Sequence, residues 1–217
     1  LKFIFQIIAA KIIVDTGLLI DNFHGILGIY EISRVGAQIL TIFIIISLIN
    51  AINFIDGIDG LAISVVTIFI IAFEFFMITS TPYYNFSILI LFSFIPMYYF
   101  NFRKKNKIFL GDSGSHFLGG IVSIYTIFIL SQGYIIKPDF DIHKILFVFA
   151  ILSYPIIDIT RIIFIRLKNN RSPFEADRNH IHHLILSKTK SHFKTTFFII
   201  LSKILIIFTF QLIQNFQ

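Results

Sequence analysis

Residues 35–52, VGAQILTIFIIISLINAI, run for eighteen positions without a charged side chain. That is close to the ~20 residues an α-helix needs to cross the hydrocarbon layer of a bilayer. Comparable apolar runs recur at about 61–79, 86–101, 116–131, 144–166 and 195–213, and residues 3–14 make a shorter one. Backbone in lipid must satisfy its own hydrogen bonds, and runs of this length do so as helices. The expected fold is therefore an all-α polytopic membrane bundle with about six full spans plus a partial first helix. Between the first two runs, Asp15, Gly17, Asp21, Asn22 and Gly25 interrupt the hydrophobicity. This segment suits a small exterior β-hairpin. Pro155 is expected to kink the run at 144–166.

Composition agrees with a life in lipid: 56% of the 217 residues are hydrophobic, mean hydropathy is +0.86 and only 14% are charged. A soluble domain carries about 25% charged residues. Six spans use up the length, so residues 1–217 read as a single membrane-embedded domain. Leu1 and Lys2 lead directly into an apolar run without the basic start of a signal peptide, so the chain is expected to be truncated at its N-terminus. The absence of cysteine excludes disulfides, thiolate metal sites and cysteine nucleophiles. The net charge of +6 reports orientation in a membrane protein, so no nucleic-acid partner is expected.

Alternation of spans puts the loops near residues 55, 107 and 180 on one side, with eleven lysines and arginines. The opposite loops hold four: Lys11, Arg34, Lys137 and Lys144. Cationic loops favour the cytoplasmic side, so the first set is expected to face the cytoplasm.

Those same loops hold the polar residues that a membrane chain has least reason to carry. Asn50-Ala51-Ile52-Asn53-Phe54-Ile55-Asp56-Gly57-Ile58-Asp59-Gly60-Leu61-Ala62 sets two carboxylates and two carboxamides between two apolar runs. An acidic group at membrane depth costs at least about 2.5 kcal/mol and is expected to face a cavity, a partner or an ion. If the turn is helical, Asp56 and Asp59 project on one side. Singly, an Asp-Gly pair is an ordinary turn signal; the doubled form beside two asparagines points to a polar pocket.

In the loop near 107, Lys107 and Asp112 flank Gly111 and precede Ser113, Gly114 and Ser115. Lysine supplies a point charge for phosphate, and aspartate is a hard-cation ligand. The neighbouring Arg103–Lys105 run reads as a topology signal. In the loop near 180, Asp177, Arg178, His180, His182 and His183 cluster. Imidazoles can donate to phosphate oxygens, and arginine can clamp them with two bonds. On a regular helix His180 and His183 would share a face and His182 would not. His24 reads as a solvated loop residue, Glu74 as a packing or pairing residue, and Asp158 and Arg161 as groups spaced to neutralise one another or to serve a site.

NAINFIDGIDGLA resembles the signature of the polyprenyl-phosphate N-acetylhexosamine-1-phosphate transferases of glycosyltransferase family 4. KIFLGDSGSHFLGG is similar to that family's third carboxylate motif, and SPFEADRNHIHH to its histidine loop, in the family's order. The HIHH form resembles the UDP-N-acetylglucosamine branch. The family also carries an aspartate pair upstream of the helix matched by residue 1 onward, and these 217 residues contain no Asp-Asp.

The resemblance implies transfer of a sugar 1-phosphate, N-acetylglucosamine 1-phosphate first, from a UDP-sugar to undecaprenyl phosphate in the bacterial inner membrane. UMP would leave and cell-envelope glycan assembly would begin. It implies Mg2+ (or Mn2+) held by Asp56 and Asp112, with Asp59 and His180 catalytic. Asn50, Asn53, Lys107, Arg178, His182 and His183 would bind substrate, and a homodimer is compatible with the family. Two alternatives stay open: a membrane cation transporter, whose carboxylates would line a path through the bilayer, and a noncatalytic truncated relative.

Overall fold

The computed structural model describes the chain apart from residues 1, 24, 26–27, 104, 131–133, 137–141, 173–178 and 216–217. The described residues form helices α1 (Lys2–Asp15), α2 (Arg34–Ile55), α3 (Leu61–Phe75), α4 (Tyr84–Asn101), α5 (Gly111–Leu130), α6 (Ile142–Ile151), α7 (Ser153–Lys168), α8 (Ile181–Thr189) and α9 (His192–Asn215). The all-α expectation holds. Of the expected hairpin at 15–33, the described residues form one antiparallel bridge, Asn22 with Glu31, flanked by Phe23 N–H to Tyr30 O (2.9 Å) and Ile32 N–H to Asp21 O (2.8 Å). His24, Asp177 and Arg178 lie outside the described residues.

Among the described residues, three helical stretches can cross a membrane by length and composition: Arg34–Ile55, Gly111–Leu130 and His192–Ile213. The pair α6 and α7 makes a fourth if a chain bent by 75° counts as one span. The expected span at 61–79 ends as a helix at Phe75, and its 15 residues reach only about 22 Å. Just beyond, the chain turns back. Thr81 donates to both Glu74 carboxylate oxygens (2.9 and 2.8 Å) and Ser87 at the start of α4 donates to one of them (2.5 Å). Glu74 therefore pins the α3–α4 turn, a pairing role within the bundle.

The bend between α6 and α7 lies at Leu152, three residues before Pro155. Proline has no N–H and its ring clashes with the carbonyl four residues back, here Ile151, where α6 stops. Within the first turn of a new helix the missing donor costs nothing, so α7 restarts at Ser153.

The most extensive helix pair is α2 with α5. Their closest approach is at Gly119, where an added Cβ would lie 2.6 Å from Ile49 Cα and 3.1 Å from its carbonyl oxygen. One turn on, Ser123 donates to Gly119 O (2.7 Å) and to Ile45 O of α2 (3.3 Å). Lipid tails give helices no hydrophobic reason to associate, so small residues that allow backbone contact drive such pairs. Around this pair, phenylalanines such as Phe43, Phe92 and Phe164 are 67–68% exposed, as side chains facing hydrocarbon would be.

Candidate active site

The α2–α5 contact decides where the first two motifs meet. One turn beyond Ile49 on α2 is Asn53, and one turn before Gly119 on α5 is Ser115. Asn53 Nδ2 donates to Ser115 Oγ (2.8 Å) and to Asp112 Oδ1 (3.1 Å). Lys2 of α1 donates to Asn53 Oδ1 (3.2 Å) and lies 3.7 Å from Asp112 Oδ2. Asp56 caps the C-terminus of α2 and turns toward the start of α5, where the Gly111 backbone N–H bonds its carboxylate. Asp56 and Asp112 thus line one cleft together with Asn53, Phe54, Gly57, Arg166, His180 and His183.

Burial, and next the negative charge of Asp112, push the Asp56 carboxyl up to about 7, against the opposing effect of the Gly111 bond. The Asp112 carboxylate, by contrast, has its charge stabilised by the Asn53 hydrogen bond and next by Lys2, so the unfavourable charge is concentrated on Asp56. A hard divalent cation fits this donor set, because it takes carboxylate oxygens and offsets both the burial of Asp56 and its repulsion by Asp112. Asp56 and Asp112 are the residues that would hold it.

The DGxDG turn is not helical, and Asp59 points away from Asp56. It is ion-paired with Lys107, and His192 Nδ1 of α9 lies 3.1 Å from its carboxylate. Thr196 donates to the Asp59 carbonyl (3.0 Å). Gly60 carries a φ of +69°, and its N–H donates to Asn101 Oδ1 (2.5 Å), while Asn101 Nδ2 reaches Ile108 O (2.8 Å). The Phe102 ring occupies the space a Cβ at Gly60 would need. Asp59 and Lys107 are therefore a clasp joining the turn, the α4–α5 loop and α9, beside the cleft rather than in it. Asn50 is likewise apart, in a reciprocal amide pair with Gln6 of α1 (3.2 and 3.1 Å).

All three histidines gather, contrary to the helical-face expectation. His180 is the N-cap of α8 with extended backbone (φ −58°, ψ 148°), so the helical spacing rule does not reach it. Ring centroids of His180 and His182 are 5.3 Å apart, and those of His182 and His183 4.3 Å. His180 and His183 line the cleft. His182 is fully buried behind it, with Nδ1 3.0 Å from the Tyr154 hydroxyl, and a Cβ at Gly57 would be 3.2 Å from its Nε2. Burial, then His183, pulls the His182 imidazole well below its usual range, so it is neutral.

Asp158 and Arg161 do not neutralise one another. Asp158 accepts from Ile181 N–H (2.7 Å) and lies 2.7 Å from His180 Nδ1, whereas Arg161 donates to Asn179 O (2.5 Å). Sequence reasoning missed Arg166, a buried cation lining the cleft, by counting it among loop charges. Its signal was a four-residue stripe on α7: Tyr154, Asp158, Ile162 and Arg166 are all buried.

The family model for glycosyl transferase family 4 matches residues 1–130, which carry the first two motifs. Among relatives, the undecaprenyl-phosphate alpha-N-acetylglucosaminyl 1-phosphate transferase of Pasteurella multocida is 31% identical over 109 residues, 48% of this chain and 28% of the relative. The proteins of that name from Haemophilus influenzae and Escherichia coli K12 are 34% identical over 86 residues and 38% identical over 85. These stretches are 39% and 38% of this chain and 22% and 21% of the relatives. The matched stretch thus spans less than a third of each relative's length. With its model matched across well over half of the chain and both carboxylate motifs folded into one cleft, this protein belongs to glycosyl transferase family 4.

Proposed function

We propose that the protein transfers N-acetylglucosamine 1-phosphate from UDP-N-acetylglucosamine to undecaprenyl phosphate, releasing UMP, on the cytoplasmic face of a bacterial inner membrane. The observation that carries this reading is the convergence of Asp56, Asp112, Arg166, His180 and His183 in one cleft at the ends of apolar helices. Carboxylates beside cationic and imidazole donors suit a reaction between two phosphate groups that repel each other. A helix-end location also suits one water-soluble and one lipid-borne reactant.

In this reading Asp56 and Asp112 hold Mg2+, for which Mn2+ can substitute. When bound, the ion neutralises pyrophosphate charge and polarises its oxygens. Asn53 keeps the Asp112 carboxylate turned to the cleft through the hydrogen bond that its Nδ2 donates. Arg166 and His183 donate to phosphate oxygens, with Arg178 as a further clamp, and His180 meets the substrate through Nε2. The Asp59–Lys107 clasp holds the turn that carries Asp56, and Asn50 holds α1 to α2. None of these groups is assigned as the base on the lipid phosphate. The cation-transporter alternative needs open carboxylates along a path, whereas Glu74 and Asp158 are each hydrogen-bonded to neighbouring helices or loops.

The test is incubation of the full-length protein with undecaprenyl phosphate and UDP-N-acetylglucosamine labelled in the sugar. Label is expected in the lipid with stoichiometric UMP and only with a divalent ion. Failure to label the lipid from any UDP-N-acetylhexosamine, or label without UMP, would overturn the reading. A pH dependence follows from Asp56. Protons compete with the ion below its raised value of about 7, so affinity for Mn2+ should fall by up to about tenfold per pH unit below 7 and level off above about 8. Mn2+ titration by electron paramagnetic resonance checks this. An affinity flat from about pH 5.5 to 8.5 contradicts a role for Asp56 as ligand.

A further inference from the structure

One residue of the cleft, Arg166, comes from α7, a helix that lies outside all three motifs and outside the matched residues 1–130. Its buried stripe meets the histidine loop at three points: Tyr154 at His182, Asp158 at His180 and Arg166 in the cleft itself. Asp158 is fully buried, and both its carboxylate oxygens are used, one by the Ile181 backbone N–H and one by His180 Nδ1. A carboxylate can only accept, so His180 must carry a proton on Nδ1. That leaves Nε2 as the ring nitrogen for the cleft that His180 lines, with the Phe54 ring 5.8 Å away against the imidazole.

We propose that Asp158 is a positioning residue: by accepting from His180 Nδ1 and from Ile181 N–H together, it fixes both the tautomer of His180 and the start of α8, and so presents the Nε2 lone pair to the cleft as an acceptor for an O–H or N–H of the bound substrate. The proposal deepens the transferase reading and rests on it for the word substrate. The tautomer itself does not depend on that reading. The chemistry needed is one hydrogen bond of fixed direction. Asp158 touches neither reactant, and no proton leaves it. The bend at Leu152 matters here, because it gives α7 the independent direction that brings a buried carboxylate under His180.

Asp158→Asn separates the two jobs. The amide oxygen can still accept from Ile181 N–H, so the start of α8 is retained. The amide nitrogen is a donor and can face only an Nδ1 lone pair, so His180 is driven to the opposite tautomer, with its proton on Nε2. In detergent-solubilised full-length protein labelled with 15N-histidine and assigned by a His180→Gln control, wild-type His180 is expected to show a protonated Nδ1 from pH 6 to 8. The variant is expected to show an unprotonated Nδ1 and a protonated Nε2. Transfer of sugar phosphate to undecaprenyl phosphate should fall about 10- to 100-fold, the effect of leaving one donor of the bound substrate without its acceptor. In a His180→Gln background the same substitution should cause little further loss, because the two residues act as a unit.

An unprotonated Nδ1 in the wild-type protein overturns the proposal whatever the variant does, including failure to fold. An additive loss in the His180→Gln background overturns it too, leaving Asp158 a merely structural residue. If no transfer is found with any protein but the tautomers are as stated, the positioning stands and the transferase reading fails.

Discussion

Replacing Asp56 or Asp112 by asparagine is expected to lower transfer of sugar phosphate by about 10³-fold, the scale of losing a charge that stabilises a developing anion. The stability of the two variants makes the prediction specific. The Asp112 side chain is 81% exposed, and its contacts with Asn53 and Lys2 are surface contacts. Asp112→Asn should therefore change stability by no more than a surface substitution does, about 0.5 kcal/mol, and leave the melting temperature close to that of the wild type. Asp56 is half-buried next to a like charge, and its carboxyl is raised to about 7. A folded-state value above the unfolded one means that the native state holds the extra proton, so stability falls as pH rises from about 4 to about 7. Asp56→Asn removes that repulsion, and without divalent ion at pH 8 it should melt at or above the wild-type temperature. A fold that would rest more easily without a group, joined to a reaction that stops without it, is the signature of a site. Magnesium-dependent turnover near the wild-type rate in both variants would remove them from the metal's coordination. A sharp drop in the melting temperature of Asp56→Asn would instead make it structural.

The second large effect belongs to a residue without a side chain. Gly119→Ala puts a Cβ 2.6 Å from Ile49 Cα, a backbone atom that no rotamer change can move aside. Helices α2 and α5 must separate, at a cost of about 1–3 kcal/mol for overpacking. Gly119→Leu should leave little folded protein. Separation also withdraws Asn53 from Asp112 and Ser115, so the alanine variant should lose transfer beyond what its stability explains. The neighbouring Gly120 is the control: an added Cβ there has nothing within 4 Å, and alanine favours a helix by about 1 kcal/mol, so Gly120→Ala should be neutral or stabilising. Equal melting temperatures for the two alanine variants would refute the close crossing of α2 and α5.

Much of this was legible in advance. Apolar run length marks helices because the bilayer sets a fixed thickness, and the three polar motifs stand out because lipid makes ionic groups costly. Asp56, Asp112 and the histidines could therefore be named as a group. Side-chain direction in the connecting turns was less accessible. Asp56 and Asp59 sit three apart, yet one faces the cleft and the other clasps Lys107 and His192, because the turn between them is not helical. Asn50 looked like a ligand and is an interhelical clamp, since a carboxamide serves either purpose.

What the residues determined by themselves is the all-helical membrane character and the identity of the polar segments, both local consequences of hydropathy. Only the tertiary structure decided which of those segments share a cleft, through the glycine-mediated contact of α2 with α5 and the bend that turns α7 inward. It also drew Asp158 and Arg166 from an ordinary-looking helix into the surroundings of His180. The physical reason is range: hydropathy acts residue by residue, whereas a hydrogen bond between positions 158 and 180 exists only after the helices between them have found their angles.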